Sequence, residues 1–288
     1  MDLRAIGMGL LFALMWSSAF SSARIIVADA SPLLALSARY LLSGLVGVGI
    51  ALMLGQHWRL TAAQWRATIV FGVAQNAIYL GLFFVAMQTI EASLAAIIAS
   101  AMPLLVAFFS FLFLGERLRP VGVLGLLAGL AGVGLIMGAR LTAGVEPMGL
   151  MLCILGVLAL ATATLMVRGA TSGGNALMVV GLQMLVGCAV LSVATALFET
   201  PMVNPTWPLL WAFLYTCFVP GLAATAIWFW LVGRIGATRA ATFHFLNPFF
   251  GVLIAALLLG ETLGPRDVAG VIIITLGILA VQLSRQRT

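Results

Sequence analysis

The sequence predicts an all-α integral membrane protein with ten transmembrane helices, arranged as two five-helix repeats of inverted topology. Three observations carry this. The first is composition: of 288 residues, 63% are hydrophobic and 8% charged, where a soluble domain carries about 25% charged residues. Too few polar groups exist to cover a water-facing surface, so the solvent must be lipid. The second is a duplication. At a gap-free offset of 145 residues, Pro103, Gly115, Glu116, Pro120, Gly125 and Gly132 match Pro248, Gly260, Glu261, Pro265, Gly270 and Gly277. Leucine matches mean little in so apolar a chain, but proline, glycine and glutamate matches at one offset mean much more. The third is the uneven distribution of arginine between the two sides of the membrane.

A membrane span takes about 20 apolar residues. Apolar runs between turn or charge signals place the helices at about 4–27, 33–54, 66–87, 92–114, 120–139, 147–168, 175–198, 207–231, 238–259 and 265–283. The first run follows Arg4 and precedes an Ala28-Asp29-Ala30 stretch that imitates a cleavage site. It is long for a signal sequence, and its removal would leave one repeat a helix short. Asp29, Ser31 and Pro32 open the second helix, with proline where the first turn loses no needed N–H, and Gly55-Gln56-His57 closes it. The third and fourth helices are continuous apolar runs, the fourth carrying Pro103 near its middle and closing on Gly115-Glu116. The fifth is rich in glycine, which suits close helix packing. Glu146-Pro147 opens the sixth helix and Ser172-Gly173-Gly174-Asn175 the seventh, while Pro201, Pro205 and Pro208 keep the next loop from becoming helix. The eighth to tenth helices repeat the pattern of the third to fifth. The repeats are accordingly 1–141 and 145–288.

With the N-terminus on side one, that side holds ten arginines (Arg4, Arg59, Arg66, Arg117, Arg119, Arg168, Arg234, Arg239, Arg285 and Arg287). Side two holds three, Arg24, Arg140 and Arg266. The positive-inside rule then makes both termini cytoplasmic. Five helices per repeat force the second copy to enter the membrane upside down. Inverted repeats are the architecture of many secondary transporters, with the substrate site near the midplane between halves. The arginines sit singly at the ends of apolar runs, so the basic balance implies no nucleic-acid partner. The expected partners are the lipid bilayer and a small-molecule substrate, with a monomer expected and a dimer as the alternative. Cys153, Cys188 and Cys217 lie in apolar runs with no metal or disulfide spacing. No cofactor or metal is expected, and no nucleophile–base pair suggests an enzyme.

The ten helices in two fives, the mid-helix Pro103 and Pro248, and the closing Gly-Glu pairs resemble the drug/metabolite transporter superfamily in its EamA-type branch. Trp16-Ser17-Ser18-Ala19-Phe20 resembles that family's Trp-Gly-small opening, with Ser17 where glycine is usual. The match covers nearly the whole chain and is most like bacterial exporters of aromatic amino acids. The resemblance implies an inner-membrane exporter of small amphipathic metabolites, aromatic or hydrophobic amino acids first, working by alternating access. The alternatives are a multidrug or cationic-compound exporter of the same fold, and a non-transporting assembly subunit.

Several residues are candidates for the substrate site. Asn76, Tyr79 and Phe83 follow i, i+3, i+7 spacing on the third helix, which predicts one polar–aromatic stripe facing inward. Phe83 maps at the repeat offset onto Trp228. His244 and Asn247 lie at i, i+3 on the ninth helix, and their mates are Ala99 and Met102. His244 is the one histidine within a span, so any proton coupling would run through it or not exist. Trp16 lies mid-helix, away from the interfacial belt where tryptophan gathers. Arg39 lies about two turns into the second helix, where it could snorkel to side two or bind a carboxylate. Pro103 and Pro248 are candidates for structural or gating kinks. Gly115 and Gly260 are candidate helix C-caps. Glu116 and Glu261 are expected to cap the following helices, five and ten.

Overall fold

The structure, a computed structural model, describes residues 3–115, 119–166, 174–236 and 240–286. Ten helices are long and apolar enough to cross a membrane. They are α1 (Leu3–Asp29), α2 (Pro32–Met53), α3 (Ala62–Ala86), α4 (Ala92–Leu114), α5 (Pro120–Thr142), α6 (Pro147–Met166), α7 (Ala176–Phe198), α8 (Trp207–Ile235), α9 (Thr242–Leu259) and α10 (Pro265–Ser284). Large apolar side chains such as Phe113, Leu124, Leu197 and Leu257 are exposed on the outside of the bundle, as lipid solvent requires.

Local sequence explains most of the ends. Pro32 occupies the first turn of α2 as expected. The carboxylate of Glu146 accepts from the N–H groups of Met148 (3.0 Å) and Gly149 (2.6 Å), opening α6. α3 begins earlier than its apolar run, because Thr61 and Gln64 form a capping box. Pro208 does not hold the loop open. It sits in the first turn of α8, where its missing N–H costs nothing. Gly115 and Gly260 end α4 and α9 in the left-handed conformation, at φ 65° and 66°. No side chain with a Cβ adopts that conformation cheaply.

The two halves share an unusual backbone. α3 contains a π-helical stretch, Gly72–Tyr79, and α8 contains another, Cys217–Ala223, which begins at the same place in the second repeat. α4 is interrupted at Ala101 and resumes as Met102–Leu114. α9 begins as a 3₁₀ turn, Thr242–Leu246, and continues as Asn247–Leu259, the repeat mate of Met102–Leu114. Pro103 and Pro248 each sit in the first turn after the interruption, where proline fits a new helix start.

Symmetry mates pack against each other. In α5 and α10, a Cβ on Gly125 would lie 2.8 Å from the Gly277 carbonyl and one on Gly277 2.6 Å from the Gly125 carbonyl. A Cβ on Gly132 would lie 3.1 Å from the Gly270 carbonyl and one on Gly270 3.2 Å from the Gly132 carbonyl. Gly125 and Gly132 are the repeat mates of Gly270 and Gly277, so the contact maps onto itself, as across a two-fold axis. The numbering also runs in opposite directions, so the mates are antiparallel. α2 and α7 are antiparallel mates as well: Glu199 at the end of α7 accepts from Leu33 and Leu34 (2.9 and 3.0 Å), while Gln56 beyond α2 accepts from Met178 (3.0 Å) at the start of α7. The repeats are therefore inverted.

Candidate functional site

α1 runs through the interior. Its serines are buried and tie it to both neighbours in the second half. The Ser18 hydroxyl is 2.7 Å from the Tyr215 hydroxyl, Thr216 donates to Ser22 at 2.7 Å, and Ser17 donates to the Asn247 carbonyl at 3.3 Å. Beside α1 lies a cavity of about 550 Å³, walled by α1, α2, α3, α4, α6, α7, α8 and α9. At the end bearing the chain termini, it is lined by Gln64, Ala67, Ala176 and Val179, all partly exposed. At the opposite end it stops at Ala23 and Met87, both buried.

On that side of the bundle, polar contacts tie helix ends together. Arg24 on α1 donates to the Met87 carbonyl at the end of α3. Arg140 on α5 pairs with Glu91 (2.7 Å) and donates to Asp267 on α10 (3.1 Å). Glu261 is not the cap of α10. Its carboxylate crosses to α4 in the other half and accepts from the N–H groups of Ala92 (2.8 Å) and Ser93 (2.9 Å). α10 is capped by Asp267, which accepts from Gly264 at 2.9 Å. A carboxylate on a free helix N-terminus is favourable whichever helix supplies it, and sequence spacing could not tell which would. Glu116 lies outside the described residues.

The structure gathers most of the candidate residues. Trp16, Asn76, Tyr79, Pro103, Trp228, His244 and Asn247 all line the cavity. Phe12, Trp16, Trp228 and His244 form one aromatic cluster. The ring centroids of Phe12 and Trp228 are 5.1 Å apart, and His244 lies 5.2 Å from each. His244 Nδ1 is 2.9 Å from Asn247 Nδ2, which sets the imidazole by its i+3 neighbour. Asn247 Oδ1 is buried with no partner. Asn76 donates to the Gln183 carbonyl on α7 at 2.9 Å, so it also fastens α3 to α7.

Phe83 does not line the cavity. It is 0% exposed and packs behind Tyr79, ring centroids 4.6 Å apart, and against Gly156 of α6. Pro248 is buried in the packing of α9. Sequence reasoning passed over Tyr40, Gln64, Gln183, Pro220 and Thr225, which also line the wall. A proline within the eighth apolar run was the available signal for the last two. Arg39 does not snorkel outward; it is 6% exposed and lines the cavity. Among the described residues, no group of His, Cys, Asp or Glu could hold a metal ion.

Duplicated inverted halves around a mid-membrane cavity define a membrane transporter. Comparison with known proteins gives the family. The model of the EamA-like transporter family matches residues 3–138 and again 147–283. The chain belongs to the EamA-like transporter family. It is 26% identical to the transporter YvbV of Bacillus subtilis, covering 93% of this chain and 88% of that one. It is 26% identical to the inner membrane transporter YedA of Escherichia coli, over 93% and 90%. A shorter stretch of 109 residues, 38% of each chain, is 33% identical to the aromatic amino acid exporter YddG of Ancylobacter novellus. A solved crystal structure superposes with a TM-score of 0.65 at 22% identity, covering 100% of this chain and 99% of that one, which shows a shared fold.

Proposed function

We propose that this transporter exports aromatic or hydrophobic amino acids across a bacterial inner membrane by alternating access, with both termini cytoplasmic. One observation carries the reading: the cavity is approached from the terminus-bearing, arginine-rich end and stops at the other at buried Ala23 and Met87, beside the contact of Arg24 with the Met87 carbonyl. Such a chamber accepts substrate from the cytoplasm and needs a rearrangement at that closed end to release it. Residues 1–141 and 145–288 are the two bodies that would rock against each other. Trp16, Asn76, Tyr79, Trp228, His244 and Asn247 are the proposed substrate contacts, with rings for stacking and amides for orientation. The resemblance to an aromatic amino acid exporter over part of the chain supports the substrate class. With no carboxylate among the described lining residues, substrate is expected to move down its own gradient without an imposed proton gradient. The test is counterflow of labelled phenylalanine in liposomes holding the purified protein. Uptake that depends on internal unlabelled phenylalanine supports the reading, and none above protein-free liposomes removes it.

A further inference from the structure

Arg39 is the one arginine among the described residues lining the cavity. It is 6% exposed, and its Nε has no partner. Among the described residues no carboxylate pairs with it, and Asp and Glu are missing from the lining altogether. Its guanidinium lies 5.2 Å from the centre of the Tyr40 ring. On its other side is Gly221, in the π-helical stretch of α8, where an added Cβ would stand 3.8 Å from Nη2. An uncompensated charge inside a membrane bundle is costly. Arginine cannot shed its proton to escape that cost. An anion delivered into the cavity relieves it, and the planar fork suits a carboxylate in a bidentate pair.

The other end of the chamber supplies the second half of a ligand. Gly221 and Trp228 are seven residues apart on α8, two turns or about 10 Å. Trp228 belongs to the ring cluster with Phe12, Trp16 and His244. We propose that Arg39 is the carboxylate anchor of this cavity, and that the substrate is an aryl or apolar carboxylate whose ring lies among Trp16 and Trp228. The ammonium of an amino acid is then dispensable, because no acidic side chain among the described lining residues waits for it, and amphipathic cations are excluded by the fixed charge. This assigns the substrate's charge within the transport reading above and rests on that reading for passage, though not for binding.

Binding and movement are measured separately. Purified protein is titrated with 3-phenylpropionate, L-phenylalanine and phenethylamine, followed by the fluorescence of the cavity tryptophans. The acid and the amino acid should bind within a few-fold of each other, and the amine at least about tenfold more weakly. Arg39→Gln should weaken the two carboxylates on the order of 10- to 100-fold. It should do so without lowering the melting temperature, since it removes a charge that no carboxylate compensates. Arg39→Lys should restore part of the affinity. Equal binding of amine and acid by the unsubstituted protein overturns the proposal, and that comparison holds even where Arg39→Gln fails to fold. Unchanged carboxylate affinity in Arg39→Gln overturns it too, as does binding of none of the three. Carboxylate binding without phenylalanine counterflow would remove the transport reading and leave the anchor. Counterflow that persists undiminished in Arg39→Gln would do the reverse.

Discussion

The two halves agree in backbone and differ in chemistry. The π-helical stretches, the interrupted fourth and ninth helices, the left-handed glycines at 115 and 260, and the glycine seam of α5 and α10 all recur at the repeat offset. Phe84 and Phe229 aside, the side chains that face the cavity mostly do not. Arg39 stands where the second half has Met184, Asn76 where it has Gly221, and Tyr79 where it has Ala224. Conversely His244, Asn247 and Trp228 face mates Ala99, Met102 and Phe83. The difference teaches that helix ends and seams follow the backbone symmetry of the two halves. The proposed binding wall departs from it, as a substrate with one charged and one aromatic end, which has no two-fold axis, would require.

Four experiments break or sharpen that comparison. The largest effect is topological and all-or-none. A cysteine in place of Arg117 should react with an impermeant reagent only from the cytoplasm, and one in place of Thr262 only from outside. Reaction of both from one side would contradict opposed halves.

Next comes the seam. Gly277→Leu would drive a side chain into the backbone of Gly125 and Gly129, which an added Cβ already approaches to 2.6 and 2.8 Å. Backbone cannot give way, so the cost should exceed about 3 kcal/mol and monodisperse protein should be lost on gel filtration. Gly134→Leu, with nothing within 4 Å of an added Cβ, should behave as the parent.

The third separates a wall residue from its mate. Phe83→Ala should cost about 3–5 kcal/mol as a buried cavity mutation, read as a lower melting temperature. Trp228→Ala should leave the melting temperature nearly unchanged and lower phenylalanine counterflow roughly tenfold, the loss of about 1.4 kcal/mol of ring contact. The reverse pattern would exchange their roles.

The smallest effect concerns His244. His244→Gln keeps a polar side chain beside Asn247 and removes the one imidazole among the described lining residues. The ratio of counterflow rates at pH 5 and pH 8 should move towards one. A ratio unchanged from the parent would place any pH dependence outside His244.

Much of this is legible in the chain itself, for identifiable reasons. Prolines and glycines report backbone directly, so Pro103, Pro248, Gly115 and Gly260 mark the interruptions and the caps. Apolar length marks the spans. Depth and partnership are what the chain hides. The stripe of Asn76, Tyr79 and Phe83 assumes an unbroken α-helix, yet the π-helical stretch 72–79 lies across it. One inserted residue turns the remainder of the helix by about 100° relative to the expected face, so Phe83 lies behind the wall. Nothing in the third helix's sequence announces that insertion. Spacing assigns Glu261 to the nearer helix because it cannot see a free N-terminus supplied by the other half. Arg39 is visible as a charge within a span, but whether it reaches outward or inward is set by the helices packed around it, which the second helix's own sequence does not reveal.

The self-mapping contact of α5 and α10 carries a historical consequence. If the two copies were once separate identical chains paired head to tail in the membrane, each seam position occurred twice in the pair, once on each side. A change at the ancestor of Gly125 and Gly270 would then have struck both contacts together, and a change at the ancestor of Tyr79 and Ala224 would have altered both walls of the chamber. Joining the copies into one chain uncoupled those fates. Two copies that no longer share one sequence can differ at mated positions, as Arg39 and Met184 and as His244 and Ala99 do.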